Sequence, residues 1–153
     1  MIEEIKNKMA NAQMILVGIG EKADLTADEY NKLSSVLCEK NYFIVDLSSD
    51  NLIENSEIKK DRVVLPVFDE DSAGWDTYLK WLSGTLNREL VVIELGVGFD
   101  HPDLVRFPFE KTVLYNNKAY MVRINSNLYQ LPAELKEKGC SLKSTAKEFI
   151  AQL

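Results

Sequence analysis

Short continuous apolar segments alternate with amphipathic segments along this chain, and this alternation limits the possible folds more than any other feature. Residues 90–95 (LVVIEL) lie between an amphipathic stretch that begins at Trp75 and a Gly-x-Gly turn at Gly96 and Gly98. A continuous apolar run is typical of a strand that is covered on both faces. Alternation of such strands with helices favours a parallel sheet. We therefore predict an α/β fold, a doubly wound parallel sheet of about six strands with helices on both faces.

The same patterns place the individual elements. Five helices are predicted. The first covers residues 2–9, the second begins at the Thr26-x-x-Glu29 capping box, and the third covers residues 75–86 with Asn87 as its C-terminal cap. The fourth runs from Pro102 toward Asn116 and contains Pro108, and the fifth begins at Thr145. The acidic run at residues 69–71 precedes the third of these helices, and its negative charges are expected to interact favourably with the positive N-terminal end of the helix dipole. Strands are predicted at residues 14–17, 42–45, 63–68, 90–95, 119–124 and 139–142.

Length and composition exclude several classes of protein. The 153 residues, 46% of them hydrophobic, suit one compact domain over residues 1–153. A net charge of −6 argues against a nucleic-acid partner. The charged first 13 residues do not resemble a signal peptide, and no apolar run is long enough for a membrane span, so we expect a soluble cytoplasmic protein. Two distant cysteines and one histidine predict neither a disulfide nor a zinc site.

Two Gly-x-Gly turns are the main indication of a ligand site. Gly18 and Gly20 follow the first predicted strand, and Gly96 and Gly98 follow the fourth. In a doubly wound sheet these two strands are neighbours, so both turns flank one crevice. Glycine there lets a nucleotide approach the backbone, although it can also serve packing alone. Neither turn completes the dinucleotide fingerprint, because Ala23 and His101 occupy the third-glycine positions.

Other polar residues near the predicted crevice have both functional and local interpretations. Asp46 and Asp50 follow the second strand, where a ribose-binding group often lies, but aspartate also favours turns. His101 has no evident nucleophile as a partner and is predicted to be an exposed turn residue. Arg106 is expected to pair with Glu110 one helical turn further on rather than with a phosphate.

Several segments resemble, in the same order, the sirtuin family of NAD-dependent protein deacylases, particularly its bacterial branch. Residues 12–20 (AQMILVGIG) resemble the first strand and glycine turn, and residues 40–45 resemble the second strand. Residues 75–109 contain the most specific part, in WLSGTLN, ELGVGF and RFPFE. The resemblance implies a Rossmann-like domain that binds NAD or ADP-ribose, with six binding residues: Gly18, Gly20, Asp50, Gly96, Gly98 and Asn125.

The departures from that family imply that deacylation is lost. The chain has no room for the helical insertion or for the module that binds zinc through four cysteines. The family's catalytic His-Gly has no counterpart in residues 63–68, and Ser48 replaces an asparagine of the motif that ends at Asp50. Glu21 would place a negative charge near the pyrophosphate.

Three functions are consistent with the sequence. The first is a domain that binds NAD or ADP-ribose without catalytic residues, zinc or protein deacylase activity. In such a domain, the diphosphate of the bound NAD or ADP-ribose approaches the N–H groups of the glycine turns. Asn125 contacts the adenosine, and Asp50 lies near the nicotinamide ribose. The second is an interaction or scaffold domain with a vestigial crevice, working as a homodimer or with a protein partner. The third is an NAD-consuming enzyme, an NAD hydrolase or ADP-ribosyl transferase, in which Asp50 or Asp46 drives the reaction.

Overall fold

The described residues contain six strands, and these form one parallel sheet. The computed structural model describes residues 1–70 and 72–153. The strand order is β3-β2-β1-β4-β5-β6, and every neighbouring pair is parallel. This confirms the predicted doubly wound, Rossmann-like α/β fold, in which β1 and β4 lie side by side. The strands are β1 (Met14–Ile19), β2 (Asn41–Asp46), β3 (Val63–Val64), β4 (Leu90–Leu95), β5 (Ala119–Asn125) and β6 (Gly139–Lys143).

Helices cover both faces of the sheet, as predicted. On one face, apolar residues of the first, second and last helices pack against the sheet, and on the other face those of the third and fourth do. Among the described residues, no helix is both long enough and apolar enough to cross a membrane. The helices are α1 (Ile2–Asn11), α2 (Ala27–Leu37), α3 (Ser72–Ser83), α4 (Arg106–Tyr115) and α5 (Ala146–Ala151), and short 3-10 helices cover Leu52–Asn55, Lys60–Arg62 and Ala133–Lys138.

Two predicted caps set where helices begin. The capping box between Thr26 and Glu29 is present at the start of α2, where the Thr26 N–H also donates to Glu29 Oε2. At the start of α5, Thr145 Oγ1 accepts the N–H of Glu148 at 3.1 Å. Each cap satisfies backbone donors that lack a partner within the helix. The entry of the chain into both helices is therefore set by local chemistry.

Several predicted element boundaries were wrong. β3 has only two residues, because Pro66 lacks an N–H for the ladder and residues 66–68 form a turn. α4 begins at Arg106 rather than near Pro102, so Pro108 lies in its first turn and causes no kink. α3 ends at Ser83, and Asn87 instead takes a left-handed conformation (φ 66°) in the following turn. Of the acidic run before α3, Asp71 lies outside the described residues.

The two glycine turns pack against each other. A Cβ on Gly20 would lie 1.9 Å from the carbonyl oxygen of Gly96, so only a hydrogen fits between the two backbones. Gly18 was predicted in a turn after the first strand, but it lies within β1 and under α4, where a Cβ would approach the side chains of Val105 and Phe109 to 2.6 and 2.7 Å. Both glycines of the first Gly-x-Gly motif are therefore required by packing. Gly98 is different, since the nearest atom to its Cβ would be Glu21 Oε1 at 3.8 Å.

We predict that Gly20→Ala destabilises the protein by about 1–3 kcal/mol, because the added methyl group must displace backbone rather than a side chain. The matched change Gly98→Ala should alter the free energy of unfolding by no more than about 0.5 kcal/mol. Urea denaturation followed by circular dichroism measures both values. Equal stability of the two variants would show that the turns are not in the contact described.

Candidate functional site

A cleft of about 480 Å³ opens at the carboxyl edge of the sheet. It lies over the ends of β4, β5 and β6 and is closed on one side by the loop that follows β1. This edge is where doubly wound proteins bind ligands, because the loops that leave the strands diverge there. Its lining comes from four loops and the start of α5: residues 21–24, Gly96 with residues 98–100, residues 125–128, and residues 144–147.

The cleft brings together half of the residues that the sequence suggested. Gly96, Gly98 and Asn125 line it. Gly18 and Gly20 do not, because the first is covered by α4 and the second packs on Gly96. Asp50 also lies outside the lining. It follows β2 on the other side of β1, and its Oδ1 accepts the N–H of Leu52 at 3.1 Å.

Gly20 and Gly96, two of the glycines whose N–H groups were expected to meet a diphosphate, have those groups already paired. The Gly20 N–H donates to Leu95 O at 3.0 Å, and the Gly96 N–H donates to Ile124 O at 2.8 Å. Each bond extends the pairing of neighbouring strands by one residue. Gly96 has a φ of +67°, which a residue with a side chain rarely adopts. These glycines therefore shape the edge of the sheet, and their N–H groups are not available to a phosphate.

Asn125 fixes the shape of the cleft wall. Its Nδ2 donates to Val97 O at 3.0 Å, and its Oδ1 accepts the N–H groups of Asn127 and Leu128, each at 3.0 Å. The side chain is buried, which makes these bonds costly to break. Asn125 thus connects the loop after β4 to the loop after β5, and its oxygen is already saturated with donors.

Arg106 holds the same two loops from the other side. Its Nη1 donates to Val97 O at 3.0 Å and its Nη2 donates to Leu128 O at 3.1 Å. The guanidinium also lies 4.4 Å from the centroid of the Phe99 ring, a cation–π contact. The expected pairing of Arg106 with Glu110 was wrong, because Glu110 Oε2 instead accepts Arg123 Nη2 at 2.7 Å.

A buried ion-pair network joins β4, β5 and α4, and the sequence patterns did not predict it. Arg123 on β5 donates from Nε and Nη2 to both oxygens of Glu94 on β4, at 2.8 and 3.1 Å. Both side chains are fully buried, and the two residues are register partners in the sheet. A glutamate within an otherwise apolar strand, paired in register with an arginine, was the available signal. Burial raises the pKa of Glu94, and Arg123 opposes that rise.

The carboxylate of Asp46, the other candidate aspartate near the end of β2, is occupied by hydrogen bonds within the protein. It is fully buried, and its two oxygens accept the Tyr30 hydroxyl at 3.0 Å and the Ser48 N–H at 2.9 Å. Burial raises its pKa, although both bonds favour the charged form. Asp46 therefore stabilises the turn after β2 and is not exposed to a ligand.

The charges around the cleft are mixed. Glu21 Oε2 is buried and finds no hydrogen-bond partner within the described part of the chain. Burial, followed by the nearby Asp100 carboxylate, raises the pKa of Glu21, whereas the half-buried His101 acts in the opposite direction. Lys22 lies 3.9 Å from Asp100, and Lys147 lies 3.9 Å from Asp24. Among residues 1–70 and 72–153, no three or more His, Cys, Asp or Glu side chains are grouped to hold a metal ion.

Comparison with known proteins supports the fold and nothing finer. No protein-family model matches the chain, and no curated protein matches it significantly. Among solved structures, it is similar to an exopolyphosphatase-related protein from Bacteroides fragilis, with a TM-score of 0.55 and 14% sequence identity. The match covers 97% of this chain and 41% of that protein. At this identity the likeness concerns the backbone arrangement alone.

These comparisons overturn the sirtuin resemblance. A solved structure that resembles the chain is an exopolyphosphatase-related protein, and neither a family model nor a curated protein connects the chain with sirtuins. Short matches such as ELGVGF follow the strand and turn of a doubly wound sheet, which many unrelated proteins share. The residue roles implied by that family therefore no longer apply, and the cleft has to be interpreted from its own geometry.

We predict that Arg123→Met destabilises the protein by about 3–5 kcal/mol at pH 7, because it leaves the Glu94 carboxylate buried without its partner. The loss should shrink as the pH falls, since the variant raises the pKa of Glu94 further and the carboxyl then takes up a proton. Urea denaturation at pH 7 and pH 5 tests this, with the exposed Lys111→Met on α4 as control. A loss below about 1 kcal/mol at pH 7 would show that the pair is not a major stabilising contact.

Proposed function

We propose that the cleft binds the nucleoside part of a nucleotide such as NAD or ADP-ribose. The observation that carries this proposal is the position of an approximately 480 Å³ cleft at the carboxyl edge of the sheet, next to the point where strand order reverses. Small-molecule sites commonly have volumes of about 300–1,000 Å³ and occur preferentially at this place in doubly wound folds.

The lining suits a sugar and a base. Ser126 and Asn127 supply a hydroxyl and an amide from exposed positions in the loop after β5. Such uncharged groups both donate and accept, as ribose hydroxyls and base edges require. Phe99 and Leu128 add apolar surface in the same cleft. The combination of apolar surface with a few polar groups is typical of small-molecule sites.

The diphosphate of such a ligand would lie toward solvent rather than in the glycine turns. The N–H groups of Gly20 and Gly96 are paired, and the carboxylates of Glu21 and Asp100 repel an anion. Lys22 and Lys147 are the cations of the lining, and both are exposed to solvent. This distribution of charge favours an orientation in which the nucleoside lies in the cleft and the diphosphate lies toward solvent.

Thermal-shift measurements test the proposal directly. Adenosine, ADP-ribose and NAD should each stabilise the protein, by about 2.7 kcal/mol at 100 times the dissociation constant. Gly98→Val should abolish the shift while preserving the fold, because it adds a side chain to the cleft lining where a Cβ meets Glu21 Oε1 at an ordinary contact distance of 3.8 Å. The exposed, distant Lys136→Ala serves as control.

Inorganic polyphosphate belongs in the same panel, because the structurally similar protein is exopolyphosphatase-related. A shift with polyphosphate that survives Gly98→Val would contradict the proposal. Absence of any shift with adenosine, ADP-ribose and NAD would also contradict it and would favour the scaffold alternative.

We further expect the affinity for ADP-ribose to rise as the pH falls. The pKa of Glu21 is raised, so its carboxylate becomes neutral on acidification before an ordinary glutamate does, and its repulsion of the diphosphate disappears. Glu21→Gln should bind ADP-ribose about two- to fivefold more tightly at pH 7.5, with a flatter pH profile. Adenosine is uncharged and should show neither effect. Titration calorimetry from pH 5 to pH 8 measures both, and an identical profile for the two proteins would rule out a role for Glu21.

A further inference from the structure

The Phe99 ring is the most prominent apolar feature of the cleft. It follows Gly98 in the loop after β4, and the side chain is 52% exposed although it lines a concave site. Single exposed aromatic residues are common on protein surfaces and need no functional explanation. Phe99 differs from such residues in where it lies and in how it is held.

Two residues of α4 lie next to the Phe99 ring. The Arg106 guanidinium lies 4.4 Å from its centroid, and the Phe107 ring lies 6.4 Å away, tilted by 55°. Arg106 is itself buried and fixed by the carbonyl oxygens of Val97 and Leu128. An exposed ring that is held in this way loses little conformational freedom when a ligand packs on it, and this lowers the entropic cost of binding.

The surroundings of Phe99 match an aromatic ligand group. Gly98 has no side chain to cover the ring, and a Cβ there would reach ordinary contact distance (3.8 Å) of Glu21 Oε1 on the cleft lining. Leu128, 39% exposed, is the other large apolar side chain of the lining. The loop that carries Leu128 also presents Ser126 and Asn127. Apolar surface for a flat ring and polar groups for its edge therefore occur in one place.

We infer that Phe99 is the platform on which the base of the bound nucleotide stacks. This inference rests on the proposed function and deepens it, since it assigns the aromatic base to the Phe99 side of the cleft. Stacking on an aromatic ring contributes substantially to binding of bases and depends little on their identity. Arg106 acts here as a positioning residue for the ring.

Three variants of the full chain separate stacking from packing. Phe99→Leu keeps an apolar side chain but removes the aromatic face, whereas Phe99→Tyr keeps that face. Phe68→Leu is the matched control, because Phe68 is a similarly exposed phenylalanine (45%) outside the cleft. Titration calorimetry with adenosine and with ADP-ribose measures affinity, and thermal denaturation without ligand verifies that each variant is folded.

Phe99→Leu should weaken binding of both ligands by about fivefold or more, while Phe99→Tyr and Phe68→Leu bind as the unaltered protein does. Normal binding by Phe99→Leu would overturn the stacking inference and leave the proposed function intact. Equal weakening in Phe99→Tyr and Phe99→Leu would also overturn it, since shape rather than the aromatic face would then matter. Absence of binding to the unaltered protein would overturn the proposed function itself and the stacking with it.

Discussion

The candidate site depends on one shared hydrogen-bond acceptor, the carbonyl oxygen of Val97. Asn125 Nδ2 and Arg106 Nη1 both donate to it, each at 3.0 Å. The same two side chains also hold Leu128, one through its N–H and the other through its carbonyl oxygen. The loops after β4 and β5 are thereby joined by four hydrogen bonds from two buried side chains. A cleft wall built in this way is rigid although it contains no regular secondary structure.

The Glu94–Arg123 pair extends this arrangement into the sheet. Both residues face α4, which contributes Arg106 to the wall and Glu110 to the pair. Burying these charges is costly, and apolar residues of similar volume could stabilise the sheet as well or better. The pair instead restricts how α4 can lie on the sheet, because the bidentate contact and the bond to Glu110 require one relative placement. The position of the cleft wall follows from that placement.

The geometry also explains why a glycine-turn motif is weak support for nucleotide binding. In this chain, both Gly-x-Gly motifs lie at the carboxyl ends of parallel strands at the switch point, near where nucleotide-binding turns lie, with Gly18 still within β1. Yet Gly18 makes room for α4, and Gly20 makes room for the backbone of Gly96. Close packing between elements and close approach of a ligand require the same absence of a Cβ. Sequence spacing alone does not distinguish these two requirements.

Much of the fold could be predicted because its causes are local. The run at residues 90–95 had to be a covered strand, and the capping residues Thr26 and Thr145 set helix starts without help from distant residues. The adjacency of β1 and β4 followed from the handedness of crossover connections. For the same reason the sequence predicted a site at the carboxyl edge, and of the six residues predicted there Gly96, Gly98 and Asn125 line the cleft.

The details of the cleft depended on contacts between residues that are far apart in the sequence. Whether the Gly20 N–H is free for a ligand depends on Leu95, and whether Arg106 meets Glu110 depends on Arg123. Phe99 became a candidate ligand contact only because Arg106 braces it beside the cleft. The sequence by itself determined the elements, their order and the edge at which a site can form, since periodicity, caps and crossover handedness act locally. Only the tertiary structure decided which polar groups remain free there, because each donor can be taken up by an acceptor that the sequence places far away.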